Sequence, residues 1–202
     1  MPSNDSPLFW NEFQWEEEIR RDERRICGYF HELPSCLDLP GEEEMIYEKL
    51  FSQVDICEEN LHIPSGAAED AAAECAAYDE LIRALGGIDL QLLGIGRNGH
   101  VGFNEPDEYL IAGTHLTPLT EDTISANSRF FASEEEVPKH ALTMGMASIL
   151  QARKILLLAT GESKREAVRA LRDDRVTTAC PASLLKLHPN VIVLCDKAAY
   201  GE

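Results

Sequence analysis

The chain has 202 residues, 44% hydrophobic and 27% charged, enough for one domain with a sizeable core and neither disordered nor fibrous in composition. Its formal net charge of −18 excludes a nucleic-acid backbone or an anionic membrane as the expected partner, since both need a basic footprint. No apolar run is long enough to span a membrane, and the opening MPSNDSPLFWNEFQWEEE has neither the basic n-region nor the apolar h-region of a signal peptide, so a cytoplasmic location is expected.

In chain order, residues 10–26 (WNEFQWEEEIRRDERRI) read as a charged helix with Trp10, Phe13 and Ile19 as its apolar points. Residues 27–41 carry two prolines and no clean period, which reads as loop with room for a short strand. EEEMIYEKLFSQV (42–54) is helical by its apolar stripe. EDAAAECAAYDELIRALGG (69–87) is a strong helix, rich in Ala, Leu and Glu, acidic at its start and closed by Gly86-Gly87. IDLQLLGIG follows, a short apolar run of the kind found in buried parallel strands. KHALTMGMASILQA then reads as a helix, KILLLAT as a strand, SKREAVRALRDD as a helix and NVIVLCD as a strand. This alternation predicts an α/β fold, a three-layer Rossmann-like parallel sheet with helices on both faces. No repeat or low-complexity linker marks a domain boundary. The six cysteines (Cys27, Cys36, Cys57, Cys75, Cys180 and Cys195) form no CxxC pair, so reduced structural thiols are expected, with no disulfide framework and no metal site.

Two polar loops leave strands at their carboxyl ends, where open α/β sheets bind ligands. In LLGIGRNGHVGFNEP (92–106), an apolar run ends in a glycine-spaced loop that gathers Asn98, His100 and Glu105. Each has an ordinary structural use: Asn98 in a left-handed turn, His100 as a buried structural imidazole, Glu105 as a cap or a solvated charge. Together they can share a proton. In TGESK (160–164), Gly and Ser precede Lys164 at the start of a helix, a ready anion site. The expected ligand is therefore a small anion, held where a few cations gather locally.

The loop GIGRNGHVGFNEP closely resembles the signature of the glucosamine-6-phosphate deaminase/isomerase family. The resemblance continues through TEDTISANSRFF, VPKHALTMGMASIL, LATGESK and PASLLKLHPNVIVLCD, covering about residues 39–197. Related lactonases acting on phosphogluconate share the fold and a glycine-histidine loop but lack the FNEP continuation. The resemblance implies conversion of glucosamine 6-phosphate to fructose 6-phosphate and ammonia, without metal or organic cofactor. It gives ring opening to His100, assigns its orientation to Glu105 and Asn98, and makes Arg129 and Lys164 the phosphate-binding cations. Many members have Asp where this chain has Asn98, which can hydrogen-bond but adds no negative charge.

The first 38 residues depart from the family pattern. They contain one glycine, Gly28, where the family has a strand, a helix and a second strand leading into a glycine-rich phosphate loop. The N-terminal strands of the family fold are therefore expected to be missing, leaving a divergent segment (1–38) and a deaminase-like region (39–202) within a single domain. The family's C2 base is an Asp; alignment without a gap puts Pro34 there, and a shifted pairing offers Glu32. At the positions of the hexameric members' allosteric Arg and Lys this chain has His115 and Thr117, and it ends soon after LCDKAAYGE. A monomer or small homo-oligomer is expected. Two readings stay open: a working deaminase, and a catalytically silent or truncated sugar-phosphate-binding relative.

Overall fold

A computed structural model describes residues 26–28, 60, 62–121, 124–125, 137 and 139–202. The expected helices at 10–25 and 42–54 lie outside the described residues, as do Glu32 and Arg129. The described part contains a four-stranded parallel sheet built from β1 (Ile26–Gly28), β2 (Leu90–Gly94), β5 (Lys154–Ala159) and β6 (Val191–Cys195), in that order across the sheet. A separate antiparallel ribbon pairs β3 (His115–Pro118) with β4 (His140–Thr143).

The sheet and its alternating helices confirm the α/β expectation, and the apolar runs LQLLG, KILLLA and VIVLC become its strands. The register pairs Gly94 with Leu158 and Leu158 with Leu194. The loops after β2, β5 and β6 therefore leave the sheet along one edge. One face of the sheet is packed against helices. That face carries Leu93, Ile155, Leu157 and Val193, all at most 3% exposed. They share one buried cluster with Met146 and Ile149 of α2 (Met146–Leu150), Val168 and Leu171 of α3 (Arg165–Arg172), and Ala182 and Leu185. Leu158, pointing to the opposite face, is 38% exposed.

Helix α1 (Ala71–Ala84) forms where composition and capping agree. Asp70 accepts hydrogen bonds from the amides of Ala72 (3.1 Å) and Ala73 (3.0 Å), satisfying two of the orphan donors at the helix start. Gly86 and Gly87, both left-handed, end it. Its inward side presents Cys75, with Tyr78 and Ile82 packed on the core.

Three sequence expectations are corrected. Ile26 opens strand β1 and does not close a helix, and β1 lies beside β2, so the sheet has a strand ahead of residue 39 among the described residues. KHALTMGMASILQA is two elements: HALT pairs with HLTP as β4, and the helix covers only Met146–Leu150. The break falls at Gly145, where a Cβ would lie 2.1 Å from the Gly113 oxygen and 2.2 Å from that of Ala112. The strand HLTP (β3) stands in a stretch that gave no strand signal.

Candidate active site

The chain leaves β2 through Ile95 and folds at once into a closed loop. The Gly96 amide donates to the His100 oxygen (2.9 Å) and the Gly99 amide to the Gly96 oxygen (3.0 Å). Gly99 adopts φ +86, and the space beside its Cα is filled by Cys180, whose Sγ would lie 2.5 Å from an added Cβ. Its carbonyl accepts from Ala182 (2.8 Å). The loop is thus seated on the Cys180–Ala182 segment, and glycine is required at 99 both by conformation and by space.

This seat turns the His100 side chain back over the start of its own loop. A Cβ on Gly96 would lie 2.4 Å from both Cε1 and Nε2 of His100, so the imidazole lies directly over the Gly96 backbone. His100 is 5% exposed. Its Nδ1 stands 2.9 Å from Oε2 of Glu105. A carboxylate only accepts, so Nδ1 carries the proton in the neutral ring and Nε2 is the nitrogen with the basic lone pair.

Glu105 is brought to His100 by a tight turn pinned at several points. Phe103 donates its amide to Thr143 Oγ1 at the end of β4 (3.0 Å). The buried Asn104 amide donates to the oxygens of Val101 (2.9 Å) and Met144 (2.8 Å). The two side chains of the His100–Glu105 pair are 6% and 10% exposed, and a carboxylate so buried needs donors. Asn98 supplies a second one: its Nδ2 donates to the same Oε2 (2.7 Å), and its Oδ1 accepts the His100 backbone N–H (3.2 Å). The backbone N–H settles which end of the amide is oxygen. Thr120 donates to the other oxygen, Oε1, at 3.3 Å.

The three residues that sequence reading singled out in this loop therefore meet. Sequence reasoning missed the residues that hold them: Gly96 beneath the ring, Thr143 behind the turn, and Thr120 on the far carboxylate oxygen. Gly96 was findable, because a glycine two residues past the end of a buried strand, in a loop that carries a histidine, signals close approach. Thr120 carried no local signal, being distant in sequence and joined to Glu105 only through the fold.

Lys164 lies on the parallel neighbour of β2. Strand β5 ends at Ala159, Gly161 turns with φ +86, and the single turn Glu162–Lys164 leads into α3. The Gly161 amide donates to Asp196 Oδ2 (2.9 Å), and the Ala199 amide to Asp196 Oδ1 (2.7 Å). These backbone donors hold the Asp196 carboxyl below its usual range. They also bind the end of β6 to the turn that carries Lys164. His115 donates Nδ1 to the Gly113 oxygen (2.9 Å), a local turn bond, and Thr117 is half-buried on β3.

The three described thiols, Cys75, Cys180 and Cys195, are free, and burial pushes each of them up. None is a ready nucleophile. No group of three or more His, Cys, Asp or Glu that could hold a metal ion occurs among the described residues.

A profile of the glucosamine-6-phosphate isomerases/6-phosphogluconolactonase family matches residues 41–193. The chain belongs to this family. Within it, the chain is 53% identical over 154 residues to a glucosamine-6-phosphate deaminase of Thermoanaerobacter pseudethanolicus, a match covering 76% of this chain and 61% of that relative. It is also similar to the solved structure of a monomeric glucosamine-6-phosphate deaminase, with 46% identity and a TM-score of 0.75, over 78% of this chain and 65% of the other. A 6-phosphogluconolactonase from Thermotoga maritima shares the fold alone, at 20% identity and a TM-score of 0.59 over 80% of this chain and 69% of the other. The chain thus spans about three fifths of the length of the first of these family members.

Proposed function

We propose that the chain converts glucosamine 6-phosphate and water to fructose 6-phosphate and ammonia. The observation that carries this reading is the shared Glu105 Oε2, 2.9 Å from His100 Nδ1 and 2.7 Å from Asn98 Nδ2, in the loop after a parallel strand. Such an arrangement fixes the tautomer that leaves Nε2 able to take and return a proton.

The pyranose opens when a proton leaves the anomeric hydroxyl and one arrives on the ring oxygen. His100 is the group suited to carry it. Glu105 and Asn98 are positioning residues: they orient the imidazole, and the carboxylate stabilises the imidazolium while it lasts. A second base then moves a proton from C2 to C1, and water releases the amine as ammonia from the resulting imine. Glu32 is the sequence candidate for that base and lies outside the described residues. Lys164 and Arg129 are assigned to the phosphate, Arg129 likewise outside the described residues. No metal or organic cofactor is invoked. The reading places the protein in the cytoplasm as a monomer or small homo-oligomer.

The family contains two chemistries, so the test offers both substrates. Purified chain is given glucosamine 6-phosphate, with ammonia measured, and separately 6-phosphogluconolactone, with acid release measured. Ammonia release without accelerated lactone hydrolysis is expected. Lactone hydrolysis alone contradicts the reading, and saturable sugar-phosphate binding with neither activity identifies a silent binding relative.

A further inference from the structure

We infer that Thr120 is a positioning residue of this site, acting on His100 through Glu105. The inference rests on the reading of His100 as the ring-opening group. Glu105 has two carboxylate oxygens, and two donors of the loop that carries His100, His100 Nδ1 and Asn98 Nδ2, meet the same one, Oε2. Two donors on one oxygen leave the carboxylate plane able to turn about that oxygen. Thr120 Oγ1 donates to Oε1 at 3.3 Å and holds the other end.

Thr120 is brought there by the ribbon and not by the loop. It follows β3, and the neighbouring Leu119 amide donates to the Lys139 oxygen at the mouth of β4 (2.8 Å). Strand β4, in turn, ends in Thr143, which pins the Phe103 amide (3.0 Å). The same ribbon therefore fixes both the turn that carries Glu105 and the second oxygen of Glu105, Oε1. A buried carboxylate held at both oxygens keeps one orientation, and with it one imidazole tautomer.

The test compares Thr120→Val, which keeps the shape and removes the hydroxyl, with Thr120→Ser, which restores it. Two quantities are read: kcat and KM for ammonia release, and the nitrogen-15 signals of the His100 ring in the neutral state. In Thr120→Val, kcat is expected to fall about tenfold, the order of one hydrogen bond to a charged group, with KM nearly unchanged. The ring should pass from a single Nδ1–H form to a mixture of tautomers. Thr120→Ser should recover both readouts. A valine variant with normal kcat and an unmixed Nδ1–H ring overturns the inference. So does a serine variant as impaired as the valine one, which would make the methyl group's packing the cause. If the parent chain releases no ammonia, the functional reading fails by itself, and the ring signals still decide whether Thr120 orients His100.

Discussion

The imidazole of His100 depends on a residue that has no side chain. Gly96 leaves its Cα bare, and the ring occupies the space where a Cβ would stand, 2.4 Å from its Nε2 and Cε1. Gly96→Ala must push the ring away or shift the loop. A displacement on the order of 1 Å costs roughly a hundredfold in rate, so ammonia release should fall by about that factor while circular dichroism stays that of the parent. An alanine variant with full turnover would show that the ring position is not critical. The three residues that meet in this loop were legible because Asn, His and Glu within eight positions after a strand are unusual together. The double role of Asn98 was not: sequence gives no reason for it to bond the His100 backbone and Glu105 at once, an arrangement that depends on the loop's closure.

The ribbon β3–β4 was the least legible element. HALT and HLTP are four-residue strands, too short to show a period of two, and MGMASIL downstream drew the helix reading backward over β4. Thr143 is where this element matters to the site. Its hydroxyl accepts from Phe103 and donates to the Met144 oxygen (3.3 Å), with the residue 1% exposed. Thr143→Val removes the hydroxyl that accepts the Phe103 N–H and should destabilise the chain by about 0.5–1.5 kcal/mol in denaturant titration. A loss well under that range would mean the turn is held elsewhere. The turn between β5 and α3 makes a pH prediction. Asp196 titrates below its ordinary value because the Ala199 and Gly161 amides donate to it. A carboxyl depressed on folding stabilises the native state above its unfolded pKa, roughly 3.9, and that stabilisation fades as pH falls toward the lowered value. The thermal midpoint of Asp196→Asn should therefore lie below the parent's at neutral pH and approach it in acid. A gap independent of pH would assign the effect to packing.

At the scale of the whole molecule, a chain of net charge −18 repels small anions, so a phosphate must be met by local cations. Lys164, at the turn after β5, is the described residue proposed for this. Lys164→Ala should raise KM for the sugar phosphate about tenfold, the order of one charged hydrogen bond, with kcat less affected; an unchanged KM would remove it from the site. The parallel sheet itself was read correctly because LQLLG, KILLLA and VIVLC are each apolar and separated by helix-forming segments. Strand β1 was legible only as room for a short strand in 27–41, since three residues, ICG, carry too little pattern to place its start against the charged segment before it.

His100, oriented by Glu105 and Asn98, is proposed to move the proton that opens the sugar. The most direct measurement is ammonia release from glucosamine 6-phosphate by the 202-residue chain beside its His100→Ala variant, both checked for the parent's circular dichroism. Turnover by the parent and its loss in the variant is the predicted result. A folded variant that releases ammonia at the parent's rate would contradict the claim.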